Sequence, residues 1–290
     1  MHIETIWPAS LDLGEGPLWE PHSGRFFFVD IHGRAVHAWH AASGQRQSWA
    51  MPERIGWLVP RRDGDGFMAG LQSGFARLWL EPAMHLEKLG TPHAGQPDVR
   101  LNDAKADCHG RIWAGSMNNV DTRRADGQLT RLDPDGRFTV VEQGIHIANG
   151  PCISADGRRM LHTDSGLDSV FDYRLSPQGE IMDKQLWKRF GGPQGTPDGM
   201  TLDAQGNVWI AFWGGACVRQ FSPQGVLLQR IDLPALQITS MAFGGEDLQS
   251  LVVTSARNGM TAQQLAQYPA SGSVFLLRPG VAGVLAQCYG

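Results

Sequence analysis

The stretch TPDGMTLDAQGNVWIAF, residues 196–212, is written in two parts. Its second half is β-hairpin grammar: an apolar stretch, the turn Ala204-Gln205-Gly206-Asn207, then Val208-Trp209-Ile210. That order predicts two short strands joined by a glycine turn. The first half sets an acid, Asp198, beside Gly199 just ahead of the first strand. An apolar residue would pack there more easily, so the carboxylate calls for a reason.

The same plan recurs through the chain. Aligned on the turns, six units appear, and the first turn of each carries Gly24, Gly64, Gly110, Gly157, Gly206 or Gly245. These glycines follow one another at intervals of 40, 46, 47, 49 and 39 residues. Each unit reads strand, turn, strand, then a third strand, with a fourth fitted into the connecting sequence. Six such units predict an all-β protein, a six-bladed β-propeller of four-stranded blades. A two-sheet sandwich is the alternative, but a near-constant six-fold period does not favour it. The WD and GH dipeptides of WD-repeat propellers are absent. One helix is expected, around residues 261–267, and no linker-like composition interrupts the units, so residues 1–290 are expected to form a single domain.

Composition narrows the function. The chain has 290 residues, 42% hydrophobic and 19% charged, with a formal net charge of −4. This describes a globular protein with a sizeable core and no block of charge to attract nucleic acid or an anionic membrane. No apolar run approaches the ~18 residues of a membrane span, and the start MHIETIWPASLDLGEGPLW has no secretory-signal pattern. A cytoplasmic location is therefore expected. Cys108, Cys152, Cys217 and Cys288 lack C-x-x-C spacing and are read as reduced thiols rather than a zinc or redox site.

Oxygen-bearing side chains recur at one place in the repeat. Glu15 lies nine residues before Gly24, while Asn102, Asn149 and Asp198 lie eight before Gly110, Gly157 and Gly206. In a propeller, residues at equivalent repeat positions converge on one axis. Two carboxylates and two amides crowded there would repel or stay desolvated without a cation among them. One divalent metal ion is expected, Ca²⁺ first, with Fe²⁺, Zn²⁺, Mn²⁺ and Mg²⁺ as alternatives.

The motifs LGEGPLW, RLNDAKADCHGRIWAGSM, NGPCISADG, TPDGM and CVRQFSPQG resemble the senescence marker protein/gluconolactonase family, which includes regucalcin and bacterial sugar lactonases. The likeness runs from LGEGPLW to ARNGMTAQQLAQYPASGSVF, and the NGPC, HTDS and LAQYPASGSVF segments look closest to xylonolactonase-type enzymes. The resemblance implies a six-bladed propeller, with metal ligands at Glu15, Asn149 and Asp198. It implies contacts to substrate hydroxyls from Arg100 and Asn102, with Met117 nearby. In diisopropyl fluorophosphatase-like propellers the residue matching Asn102 binds the metal, so either role is open to it. Where animal members place a glutamate near the sugar, this chain has Val120, preceded by Asn118 and Asn119.

The expected activity is metal-dependent opening of a sugar (aldono) lactone, of pentonolactone or gluconolactone type, to the aldonic acid. The partner is a small-molecule sugar lactone. A divalent ion polarises a carbonyl and activates water, and a polyhydroxylated lactone offers hydroxyls for Arg100 and Asn102 to read. Asp198 is the first candidate for general base and Asp103 the second. A phosphotriesterase-like hydrolase and a non-catalytic calcium-binding propeller are the competing readings.

His146 and His162 stand close in sequence to Asn149, but a lone histidine in a strand is more often packed than catalytic. Ser116 and Ser165 have no nucleophile elbow around them. Trp57, Trp113 and Trp209 are expected in blade packing, with Trp213 a candidate pocket wall, and Asp63 with Asp65 in a turn.

Overall fold

A computed structural model describes residues 2–290. Its strands form six four-stranded antiparallel sheets, the blades of a six-bladed β-propeller. In chain order the blades begin with the strands Gly14–Glu20, Ile55–Pro60, Val99–Ala106, Ala148–Ile153, Thr196–Leu202 and Gln237–Gly244. The first strand of each blade is called its entry strand below.

Blades one to five are simple meanders, each built from four consecutive strands. The sixth is not. Its fourth strand is Ile3–Trp7 from the other end of the chain, hydrogen-bonded beside Val274–Leu277. The repeat count predicts the six blades, with each fourth strand fitted into connecting sequence; in blade six that strand comes from the N-terminal end instead. A four-residue strand such as Val274–Leu277 would otherwise expose an unpaired sheet edge, and the N-terminal strand covers it.

Two compact units are distinguished by their internal contacts. One comprises Met1–Arg54 and Phe190–Leu285, and holds blades one, five and six. The other comprises Ile55–Arg189 and Ala286–Gly290, and holds blades two, three and four. Within the first unit the entry strand of blade six packs on those of blades one and five. Within the second, the entry strand of blade three packs on those of blades two and four.

Each unit has its own apolar core. In the first, Trp209 of blade five meets Phe243 of blade six edge-on at 5.8 Å, among Met241, Leu251 and Phe275. In the second, Trp57, Phe75, Leu101 and Ile112 are sealed by Tyr289, whose hydroxyl donates to Asp133 O at 2.9 Å. As expected, Trp57, Trp113 and Trp209 are fully buried. The six first-turn glycines all adopt positive φ, from 63° at Gly24 to 83° at Gly245, so the sequence alignment marks true left-handed turns. Among the described residues the one α-helix is Ala262–Gln267, closed by a capping box between Thr261 and Gln264.

A polar pin beneath the tryptophans escaped the sequence reading. Asp203 accepts from the Gln205 and Asn207 amides, from Trp209 Nε1 at 3.0 Å and from Gln220 Nε2 at 2.8 Å. Asp107 does the same two blades earlier, for the His109 and Arg111 amides, Arg111 Nε and Trp113 Nε1. Both lie three residues before a turn glycine and six before a tryptophan, in ADCHGRIW and LDAQGNVW. That spacing was the available signal. It fixes the tryptophan to its own turn.

The four cysteines are free thiols: Cys152 and Cys217 are buried, Cys108 and Cys288 only partly so. Burial pushes the Cys152 thiol up to about 12, which keeps it protonated and unreactive. Among the described residues no helix is long and apolar enough to cross a membrane.

Candidate active site

Every entry strand carries a β-bulge near its start, and the candidate residues sit at these bulges. In blade one the register slips between Glu15 and Leu18, and in blade four between Asn149 and Cys152. In blades three and five it slips between Leu101 and Ala104 and between Pro197 and Met200. The counting by turns gave one repeat position for all four oxygen-bearing residues. The pairing resolves two adjacent ones. Glu15 and Asn149 are the last paired residues before the bulge, opposite Val29 and Thr163, whereas Asn102 and Asp198 are the first residues within it.

The two kinds of bulge differ chemically. After Glu15 and Asn149 the chain reads Gly-Pro, with Gly16 at φ 51° and Gly150 at φ 69°. A side chain at either glycine would strain this backbone, and a proline needs no ladder hydrogen bond there. Asp198 is instead followed by Gly199 because the entry strands of blades five and six nearly touch. A Cβ on Gly199 would lie 2.4 Å from Ser240 Oγ and 2.9 Å from Ser240 Cα.

In the first unit, Glu15 and Asp198 are buried carboxylates, 7% and 5% exposed. Glu15 Oε2 accepts from the Gly16 amide at 3.0 Å. Trp213 lies opposite Thr196, two residues before Asp198 on the entry strand, and is half-buried.

In the second unit, a buried polar chain joins the substrate candidates to Asn149. Arg100 Nε donates to Asn119 Oδ1 at 2.8 Å, and its Nη1 donates to Asn102 Oδ1. Asn102 Nδ2 donates to Ala148 O at 2.8 Å and to Asn149 Oδ1. Asn149 Nδ2 donates to Ser165 Oγ at 2.9 Å. A guanidinium only donates and a backbone carbonyl only accepts, so the Asn102 amide can face only one way. That orientation in turn fixes the Asn149 amide, with Oδ1 toward Asn102 and Nδ2 toward Ser165. Met117 pairs with Arg100 across the strands and bridges to Ile147, and is buried.

Asp103, the second base candidate, accepts from the Ala104 amide at 2.7 Å through Oδ1 and from the Gly150 amide at 3.0 Å through Oδ2. It therefore stitches blade three to the bulge of blade four. Ser116 is tied to the Gln128 backbone, and Ser165 serves Asn149, so both serines have structural partners. His162 is fully buried beside Tyr173, and burial lowers its pKa to about 4, leaving it neutral. Asp63 accepts from the Asp65 amide within a turn.

Asp164, which the sequence reading did not single out, gathers four donors: the His146, Ile147 and Gly166 amides and His146 Nδ1. Asp30, at the same strand end in blade one, accepts the Asp12, Leu13 and Gly33 amides. Both carboxylates anchor the segment that leads into the entry strand. Among the described residues no group of three or more His, Cys, Asp or Glu side chains is gathered for a metal, so a cation here would need amide oxygens as well.

The candidate residues are thus buried carboxylates and hydrogen-bonded amides at the entry-strand bulges of a six-bladed β-propeller. The family model described as the SMP-30/Gluconolactonase/LRE-like region matches residues 13–257, and the chain belongs to that family. It is 34% identical to a 6-deoxy-6-sulfogluconolactonase of Pseudomonas putida, over 93% of this chain and 92% of that one. It is 33% identical to a pentonolactonase of Haloferax volcanii, over 88% and 86% of the two chains. Among solved structures it superposes on a regucalcin of Agrobacterium tumefaciens, described as a calcium-binding protein. The TM-score is 0.93 at 26% identity, covering 99% of this chain and 96% of that one.

Proposed function

We propose that the chain is a metal-dependent sugar lactonase that opens an aldonolactone to its aldonic acid, with pentonolactones and gluconolactone as first substrates. The observation that carries this reading is the buried hydrogen-bonded chain Arg100–Asn102–Asn149–Ser165, which joins a guanidinium able to read sugar hydroxyls to an amide whose oxygen keeps a second lone pair for a cation. The similarity to proteins named as lactonases supports it.

Glu15, Asn149 and Asp198 would hold the divalent ion. Their donor chemistry fits: two buried carboxylates and one amide oxygen suit a hard cation, Ca²⁺ first. When bound, such an ion polarises a carbonyl and makes water more acidic. Asp198 accepts the proton of the attacking water as the new C–O bond forms. The ring C–O bond then breaks, and the departing alkoxide takes that proton from Asp198, which gives the hydroxy acid and restores the carboxylate. Arg100, with Met117 beside it, orients the sugar hydroxyls, so the carbonyl is presented in one pose. Asp103, committed to two backbone amides, holds Gly150 and with it the Asn149 bulge.

The test is hydrolysis of a lactone panel, D-xylono-1,4-lactone and D-glucono-1,5-lactone among them, with and without exhaustive chelation. Chelator-sensitive turnover restored by one added cation is the expected result. Phosphotriester turnover without lactone turnover would replace this reading by a phosphotriesterase. Metal binding with turnover of neither would leave a calcium-binding propeller.

A further inference from the structure

Resting on the lactonase reading, we infer that His146 is a specificity-determining residue: its Nε2 accepts a hydrogen bond from a ring or side-chain hydroxyl of the lactone. The substrate candidates of the second unit are short of acceptors. Arg100 can only donate. Asn102 has its oxygen on Arg100 and its nitrogen on Ala148 O and Asn149. Val120, in the loop that follows the Arg100 partner Asn119, is apolar and 74% exposed. A polyhydroxylated ligand brings O–H donors that need acceptors, because a polar group buried without a partner costs binding.

His146 is placed to supply one. It precedes Ile147, which bridges to Met117, which in turn pairs with Arg100. Its Nδ1 lies 3.1 Å from Asp164 Oδ2, and the side chain is 25% exposed. The tautomer with Nδ1–H on the carboxylate presents the lone pair of Nε2, which makes no hydrogen bond to the described residues. The comparison with blade one separates the two roles. Asp30 performs the same backbone anchoring with no imidazole on it, so the fold needs the carboxylate but not the histidine. The Asp164–His146 contact is what blade four adds.

The experiment compares wild type, His146→Phe and His146→Gln on D-xylono-1,4-lactone and on γ-butyrolactone, which has no hydroxyl. The ratio of kcat/KM between the two substrates should fall about 10-fold in His146→Phe, mainly through KM on the sugar lactone, the size of one lost hydrogen bond. His146→Gln, which returns an acceptor oxygen, should recover part of it. An equal fall on both lactones, or no change on either, overturns the inference while leaving the lactonase reading intact. Xylitol binding by calorimetry separates the two claims. His146-dependent xylitol binding by a protein that opens no lactone would keep the acceptor and remove the lactonase. A wild type that neither opens a lactone nor binds xylitol sinks both.

Discussion

Asn102 donates through Nδ2 to Oδ1 of Asn149, across the gap between blades three and four, while its own Oδ1 is held by Arg100. This hydrogen bond lets Asn102 orient the Asn149 amide, whichever of the two oxygens meets a cation. Asn102→Ala should lower divalent-metal affinity by about 10-fold, as loss of an orienting partner does, and should raise KM as Arg100 loses its seat. Calorimetric metal titration alongside steady-state kinetics checks both. Unchanged metal affinity with a raised KM would reduce Asn102 to a substrate contact.

The two buried carboxylates of the first unit make different predictions. Glu15→Gln should weaken metal binding and leave thermal unfolding nearly unchanged, since glutamine keeps the side-chain length and an oxygen to accept from the Gly16 amide. Asp198→Asn should cut kcat by on the order of 100-fold, because it removes the proposed proton acceptor as well as the charge of a proposed ligand. Full activity of the Asp198 variant after chelation would remove the proposed mechanism.

Gly199→Ala tests the close approach of blades five and six. The added methyl meets Ser240 at 2.4 Å, including its backbone at 2.9 Å, so the strand must shift. A loss of about 1–3 kcal/mol is expected in urea unfolding. Pairing the change with Ser240→Gly should recover part of it.

Asp203→Ala should cost about 3 kcal/mol or more, since it leaves buried Trp209 Nε1 and Gln220 Nε2 without their acceptor. Asp203→Asn keeps one oxygen and should cost less. Near-ultraviolet circular dichroism of the tryptophans would report the loosened turn.

His162 gives the pH prediction. Desolvation lowers its pKa from 6.5 to about 4; Glu142 and Asp164 pull it back up in part, and Lys184 adds to the lowering. The unfolded chain takes up this proton near 6.5 and the folded chain only near 4, so stability is flat above pH 6.5 and falls between 6.5 and 4. The loss reaches on the order of 3 kcal/mol. His162→Leu should flatten that limb of the stability profile, measured by urea titration at each pH. A profile unchanged by the substitution would show that other groups set it.

Much of the fold is legible in local sequence because its signals are local. A turn glycine at positive φ is demanded by the few residues around it, so six such turns could be counted and the blades with them. The capping box of Ala262–Gln267 is equally local. The Asp-to-Gly-to-Trp spacing of Asp107 and Asp203 was legible too, though only as a pattern whose purpose is hydrogen bonding to the indole. By contrast, nothing in IETIW says that Ile3–Trp7 will complete the blade begun at Gln237, because that pairing joins opposite ends of the chain.

For the candidate residues, the sequence by itself determined which side chains carry oxygen and where the Gly-Pro and Gly steps beside them allow a bulge. Only the tertiary structure decided how they are used. Glu15 and Asn149 fall before the bulge while Asn102 and Asp198 fall within it. Asn102 bridges Arg100 and Asn149, Asp103 accepts from two backbone amides, and His146 Nδ1 lies against Asp164. The physical reason is that residue type fixes which donors and acceptors a side chain has, whereas their partners come from strands tens of residues away. Which of them is left over for a ligand is settled only when those strands pack.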